Sequence, residues 1–237
     1  MPLGIIADVS AIVLGGILGT LAGKRMPDKL KEELPMAFSL AAMAIGITSL
    51  IRLNSLPAVI LALLLGTTIG SLCGFEKMLR HFGEWAAISF AKGSQKESAH
   101  NKQFLSLFSI AVILFCTGPN GLYGSIQSSL AGDHSILISK AIMDIFTAAI
   151  FAASIGIVGS LLAIPVFIIF ITLYLAASAV APYITPTMFA DFTGCGGILV
   201  LATGFRIAEM KNFSVADMTP ALVLVLPVSH FWSMLPL

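Results

Sequence analysis

Residues 136–181 read ILISKAIMDIFTAAIFAASIGIVGSLLAIPVFIIFITLYLAASAVA, and this stretch decides what kind of protein the chain is. Only Lys140 and Asp144 in it are charged. A membrane-spanning helix needs roughly 20 mostly apolar residues. The stretch holds two candidates, 136–162 and 165–181. A transmembrane β-barrel would alternate polar and apolar positions, whereas 57–69 and 164–180 are solid apolar runs. The spanning elements are therefore read as helices.

The rest of the chain agrees. Of 237 residues, 57% are hydrophobic and 11% charged, against about 25% charged in a soluble domain. The mean hydropathy is +0.98. A water-soluble fold would leave too much apolar surface uncovered. Disorder, coiled coil and a disulfide scaffold are excluded with it. Cys73, Cys116 and Cys195 lie in apolar runs without paired spacing, which suits small packing residues. A net charge of +1 makes no case for nucleic acid. The N-terminal apolar run has its basic residues, Lys24 and Arg25, behind it, so it reads as a retained helix rather than a cleaved signal.

The whole chain, 1–237, reads as one transmembrane domain of about eight crossings. The segments fall at 3–23, 35–51, 56–74, 104–118, 136–162, 165–181, 192–209 and 220–232, the fourth broken at Gly118-Pro119-Asn120-Gly121. Seven crossings result instead if the stretch after Gly118 re-enters. Nine of the 13 basic residues lie in the loops after segments one and three. The excess of Lys and Arg in cytoplasmic loops makes that side cytoplasmic and both termini external. Residues 76–91 carry Met78, Leu79, Phe82 and Trp85 at helical spacing, the pattern of a helix lying in the cytoplasmic interface, or of one contacting another subunit.

A charged side chain inside hydrocarbon is costly and calls for a reason. Lys140 and Asp144 lie about 7 and 12 Å into segment five at 1.5 Å per residue, one turn apart and able to pair. They are either a structural ion pair or the centre of a substrate or proton site. The break at Gly118 either exposes backbone groups to a bound solute or ends the crossing in an outer loop. Asp8 sits five residues into segment one. Asp191 reads most simply as an N-cap carboxylate opening segment seven. In the topology above Asp8, Asn120, Asp133, His134, Lys140, Asp144 and Asp191 all belong to the outer half or the outer surface. That zone is acidic and suits a cation or a proton. The expected site has Lys140 and Asp144 at its centre, Asn120 and Gln127 as polar contacts, and Asp133 and His134 at its mouth.

Two further patterns bear on architecture. Segment three opens PAVILAL at residue 57 and segment eight PALVLVL at residue 220, a candidate inverted repeat of the kind many transporters use. Gly15, Gly16, Gly19 and the pair Gly66-x-x-x-Gly70 fit close helix packing and lead to the expectation of a homo-oligomer, a dimer, with packing inside one chain as the alternative. No phosphate loop, metal-ligand spacing or nucleophile motif is present. No cofactor, metal or enzymatic activity is expected.

The residues Leu114-Phe-Cys-Thr-Gly-Pro, Gly124-Ser-Ile-Gln, Gly132-Asp-His-Ser and Lys140-Ala-Ile-Met-Asp carry a resemblance. So do Leu14-Gly-Gly, Gly23-Lys-Arg-Met-Pro, Gly83-Glu-Trp, Gly194-Cys-Gly-Gly and Thr219-Pro-Ala-Leu. Over nearly its whole length the chain resembles the domain of unknown function 554 family, the YqgA/YdfK-like group. The resemblance implies a bacterial multipass protein of the inner membrane and brings no substrate with it. The residues themselves favour a secondary transporter, ion- or proton-coupled, for a small polar or cationic solute. A channel and a non-transporting membrane scaffold are the alternatives.

Overall fold

The computed structural model describes residues 1–22, 27–78, 81, 85, 102–211 and 213–234. Among these residues the regular elements are all helical. They are α1 (Leu3–Ala22), α2 (Asp28–Leu50), α3 (Leu56–Cys73), α4 (Lys102–Thr117), α5 (Pro119–Ala131), α6 (Ser135–Ile155), α7 (Ala163–Val180), α8 (Pro186–Ile207), the single turn α9 (Val215–Met218) and α10 (Ala221–Ser233). Six helical stretches are long and apolar enough to cross a membrane. One of them, Ser135–Tyr183, contains both α6 and α7, each close to the ~30 Å of a bilayer core at 1.5 Å per residue. This is a helical membrane protein. The amphipathic segment expected over 76–91 lies largely outside the described residues.

The chain forms two compact units from interleaved segments, Met1–Leu34 with Met78–Ala177, and Pro35–Lys77 with Ser178–Leu237. In the first unit α1 lies along α6. Gly4 meets Leu137, Gly15 the Ile145 carbonyl, and Gly19 the backbone of Ala149. Contacts that advance together along both helices mean that the two run parallel. The opposite side of α1 carries the exposed Leu14, Leu18 and Leu21, as a lipid-facing surface should. Ile5, Ile12, Phe108, Phe115, Leu137, Leu162, Val166 and Phe170 fill the apolar core of this unit.

In the second unit α2 packs on α8 and α3 on α10. A side chain at Gly46 would meet the Gly197 carbonyl, and one at Gly197 would meet the Gly46 carbonyl. Gly194 faces Leu53 while Gly204 faces Met43. Those contacts run in opposite senses, so α2 and α8 are antiparallel. Gly66 lies on Ala221 and Gly70 on Asp217, which makes α3 and α10 antiparallel too. The glycines whose spacing also suited a homodimer are thus engaged inside the chain.

Some boundaries differ from the expectation. Segment four does break at Gly118: Pro119 lacks an amide hydrogen and starts a new helix, while the Gly118 carbonyl accepts from the amides of Gly121 and Leu122 at 3.0 and 3.3 Å. Segment five stops short, because Gly156 takes φ +72 and passes the chain to a 3-10 segment, Gly156–Leu162. Segment two begins earlier, at Asp28, with Pro35 inside the helix. Segment seven begins at Pro186 rather than at 192, because the Thr185 side chain caps the amide of Met188 and Pro186 suits the first turn.

Candidate functional site

Asp8 lies one turn from Gly4 and two from Gly15, on the glycine-lined face of α1, and is fully buried. The small residues let α6 come close enough for its Lys140 to reach across. The Nζ of Lys140 donates to Asp8 at 3.0 Å to Oδ2 and 3.3 Å to Oδ1. It also donates to Oδ2 of Asp144, one turn further along its own helix. One ammonium therefore serves two carboxylates. The Phe115 ring of α4 and the Phe170 ring of α7 stand 5.7 and 5.2 Å from Nζ, so π-faces surround the charge where water would in solution. The expected pair is a triad, and its third member comes from a helix 132 residues away in sequence.

The break between α4 and α5 borders this cluster. Gly121 packs on the same Phe170 ring that flanks Lys140. Asn120 and Gln127 lie seven residues apart on α5, hence on one face and about 10 Å apart along the axis. Both are buried, and the side-chain carbonyl oxygens Oδ1 of Asn120 and Oε1 of Gln127 have no hydrogen-bond partner among the described residues. Buried polar atoms without partners are uncommon, and each calls for an explanation. The amide nitrogen of Gln127 donates to Oδ2 of Asp133 at 2.9 Å. Oδ1 of Asp133 accepts from the amide and hydroxyl of Ser135, turning the chain into α6. His134, the residue before α6, holds its Nδ1 2.7 Å from the Ser128 hydroxyl. The structure thus brings Asp8, Lys140 and Asp144 into one cluster, and Gln127, Asp133 and His134 into another at the α5–α6 turn.

Asp191 departs from the expectation. It belongs to the second unit, inside α8 rather than at its start. Its carboxylate accepts from the amides of Asn54 and Ser55 at 3.1 and 2.6 Å and from the Ser229 hydroxyl at 2.6 Å. It caps the start of α3, not of its own helix. The carboxylate is occupied by neutral donors, which is what a helix-start anion does.

Sequence reasoning missed the two phenylalanines beside Lys140, since an aromatic residue in an apolar run carries no positional signal. It also missed a polar group in the second unit. Glu76 pairs with Arg206 at 3.3 Å, its amide donates to Asp217 at 2.8 Å, and the Ser214 hydroxyl stands between the carboxyl groups of Glu76 and Asp217. Its members come from three separated stretches of chain, and nothing in their spacing announces the meeting.

Over residues 3–230 the chain matches the family model described as "Protein of unknown function (DUF554)". It is 41% identical over 237 residues to "Uncharacterized protein YqgA" of Escherichia coli (strain K12), covering 98% of each chain. It is 28% identical over 232 residues to "Uncharacterized membrane protein YdfK" of Bacillus subtilis (strain 168), covering 96% of this chain and 95% of that one. No solved structure matches it.

Proposed function

This chain belongs to the DUF554 family, and from that premise we propose that it is a secondary transporter of the bacterial inner membrane, moving a small polar or cationic solute at the expense of an ion gradient. The triad Asp8–Lys140–Asp144 carries the reading. A buried salt bridge is a poor way to stabilise a fold, since apolar residues of similar volume do as well or better. Charges kept at membrane depth are accordingly signs of function first. A lock between helices needs one acid for one base, and here there are two acids. The surplus carboxylate answers a partner that is positive, or becomes positive, during the working cycle.

The broken helix supports the same reading. The unpartnered carbonyl oxygens of Asn120 and Gln127 suit a solute that donates hydrogen bonds, as an amine or amide does. Pro119, which has no amide hydrogen to give, lies in the same helix interruption. The reciprocal contacts of Gly46 and Gly197 are those a two-fold axis between antiparallel helices would produce, which favours the inverted repeat that alternating access employs.

The test is uptake by the purified protein in lipid vesicles under imposed proton, sodium and potassium gradients. The solutes are small amines, amino acids and polyamines, first ranked by their effect on thermal unfolding. We expect gradient-driven accumulation of at least one, and its loss in Asp144→Asn. Flux that only runs down the solute's own gradient identifies a channel instead. Folded protein that moves none of them, or a variant as active as the parent, overturns the assignment.

A further inference from the structure

The charge count of the triad leads further than the solute. Two carboxylates and one ammonium, all buried, leave one negative charge if both acids are ionised. Among the described residues the surrounding elements do not supply the missing positive charge. α4 brings Phe115 and Cys116, α7 brings Phe170, and the buried titratable group of α5 is Tyr123. None of these is a cation. His134, at the start of α6, faces the Ser128 hydroxyl. A metal ion would need the place between the two carboxylates, and the Lys140 ammonium already fills it. Among the described residues no group of three or more His, Cys, Asp and Glu stands ready to hold one.

A proton needs no such place. Asp8 and Asp144 both accept from the one Nζ of Lys140, so their carboxyl groups are neighbours and a proton on either one relieves the charge on the other. Two adjacent carboxylates in a poorly solvated site share a proton for this reason, and it belongs to the pair rather than to either residue. The side chain of Asp144 is 11% exposed and that of Asp8 is 0% exposed.

We propose that Asp8 and Asp144 share one exchangeable proton alongside Lys140, and that this proton is the coupling ion of the transporter. Loading forms one O–H bond on the pair as a hydronium gives up its proton and leaves as water. The cluster passes from one net negative charge to neutral. Unloading reverses the step on the other side of the membrane. The coupling role rests on the transporter reading, whereas the proton site does not.

Infrared difference spectroscopy of the protein in lipid vesicles tests the site directly, because a protonated carboxyl group has its own carbonyl band that shifts in heavy water. The wild type should show one such band at neutral pH. Asp8→Asn and Asp144→Asn each leave one acid for one base, and each should lose it. Lys140→Met leaves two acids and no base, and should carry about twice the wild-type band. Unfolding curves show which variants are folded, and if one Asn variant is not, the other decides. No band in the wild type, or a band that persists in a folded Asn variant, overturns the proposal. A band without any solute flux keeps the proton site and removes the transporter reading. Sodium-driven flux without a band does the opposite.

Discussion

At the scale of single residues, the third member of the ion cluster changes what mutations should do. If Lys140 and Asp144 were a closed pair, replacing both by apolar residues would cost little. With Asp8 on the same Nζ, the double variant Lys140→Met/Asp144→Leu leaves a buried acid without its base. We expect it to lose about 3–5 kcal/mol, the usual cost of removing one partner of a buried ion pair. Adding Asp8→Asn should recover most of that loss. Denaturant unfolding in mild detergent measures both. A triple variant no more stable than the double removes Asp8 from the cluster. Asp191 makes a different case. Its three donors are neutral, so Asp191→Ala should cost about 1–3 kcal/mol for the buried Ser229 hydroxyl left without its partner, within the second unit.

At the scale of elements, glycine decides how the helices meet. A Cβ on Gly19 would run into the backbone of Ala149, which cannot rotate away, whereas one on Gly159 finds Ala152 at 3.2 Å and beyond. Gly19→Ala should therefore destabilise by about 1–3 kcal/mol, the range for overpacking, and Gly159→Ala much less. Thermal unfolding of the two variants side by side tests this, and equal losses would mean that α1 does not approach α6 as closely as described. The same close approach lets Lys140 reach Asp8. A helix pair held apart by larger residues would leave the ammonium short of its second partner, so packing and the ion cluster stand or fall together.

At the scale of the whole molecule, helix direction constrains the path through the membrane. α1 and α6 run parallel, so they enter from the same side. If α2 and α3 each cross, the broken α4–α5 pair must carry the chain across as well. The antiparallel α2–α8 and α3–α10 pairs fit the same count. These directions fit the expected eight crossings, which would leave both termini on one side of the membrane. The check is thiol labelling of intact cells carrying a single cysteine, at Met1 or at Gly93, in a chain with Cys73, Cys116 and Cys195 replaced. A membrane-impermeant reagent should label position 1 from outside and reach position 93 only after permeabilisation. Labelling of both from one side refutes the count.

The amino-acid sequence by itself settled the membrane class, the helical character of the spans, the break at Gly118-Pro119 and the neighbourhood of Lys140 and Asp144. These are properties of short stretches. Apolar length, helical period and a missing amide hydrogen act within a few residues and need no partner from elsewhere. Only the tertiary structure decided that Asp8 completes the cluster, that Asp191 caps α3 from another helix, and that the glycines of α1 and α3 face their own chain. Each of those depends on which helices dock and in what register. In a chain where nearly every helix is apolar all round, hydrophobicity does not choose the partners. The choice falls to small residues that allow close approach and to the few polar groups that must find each other, and both take effect only once the chain has packed.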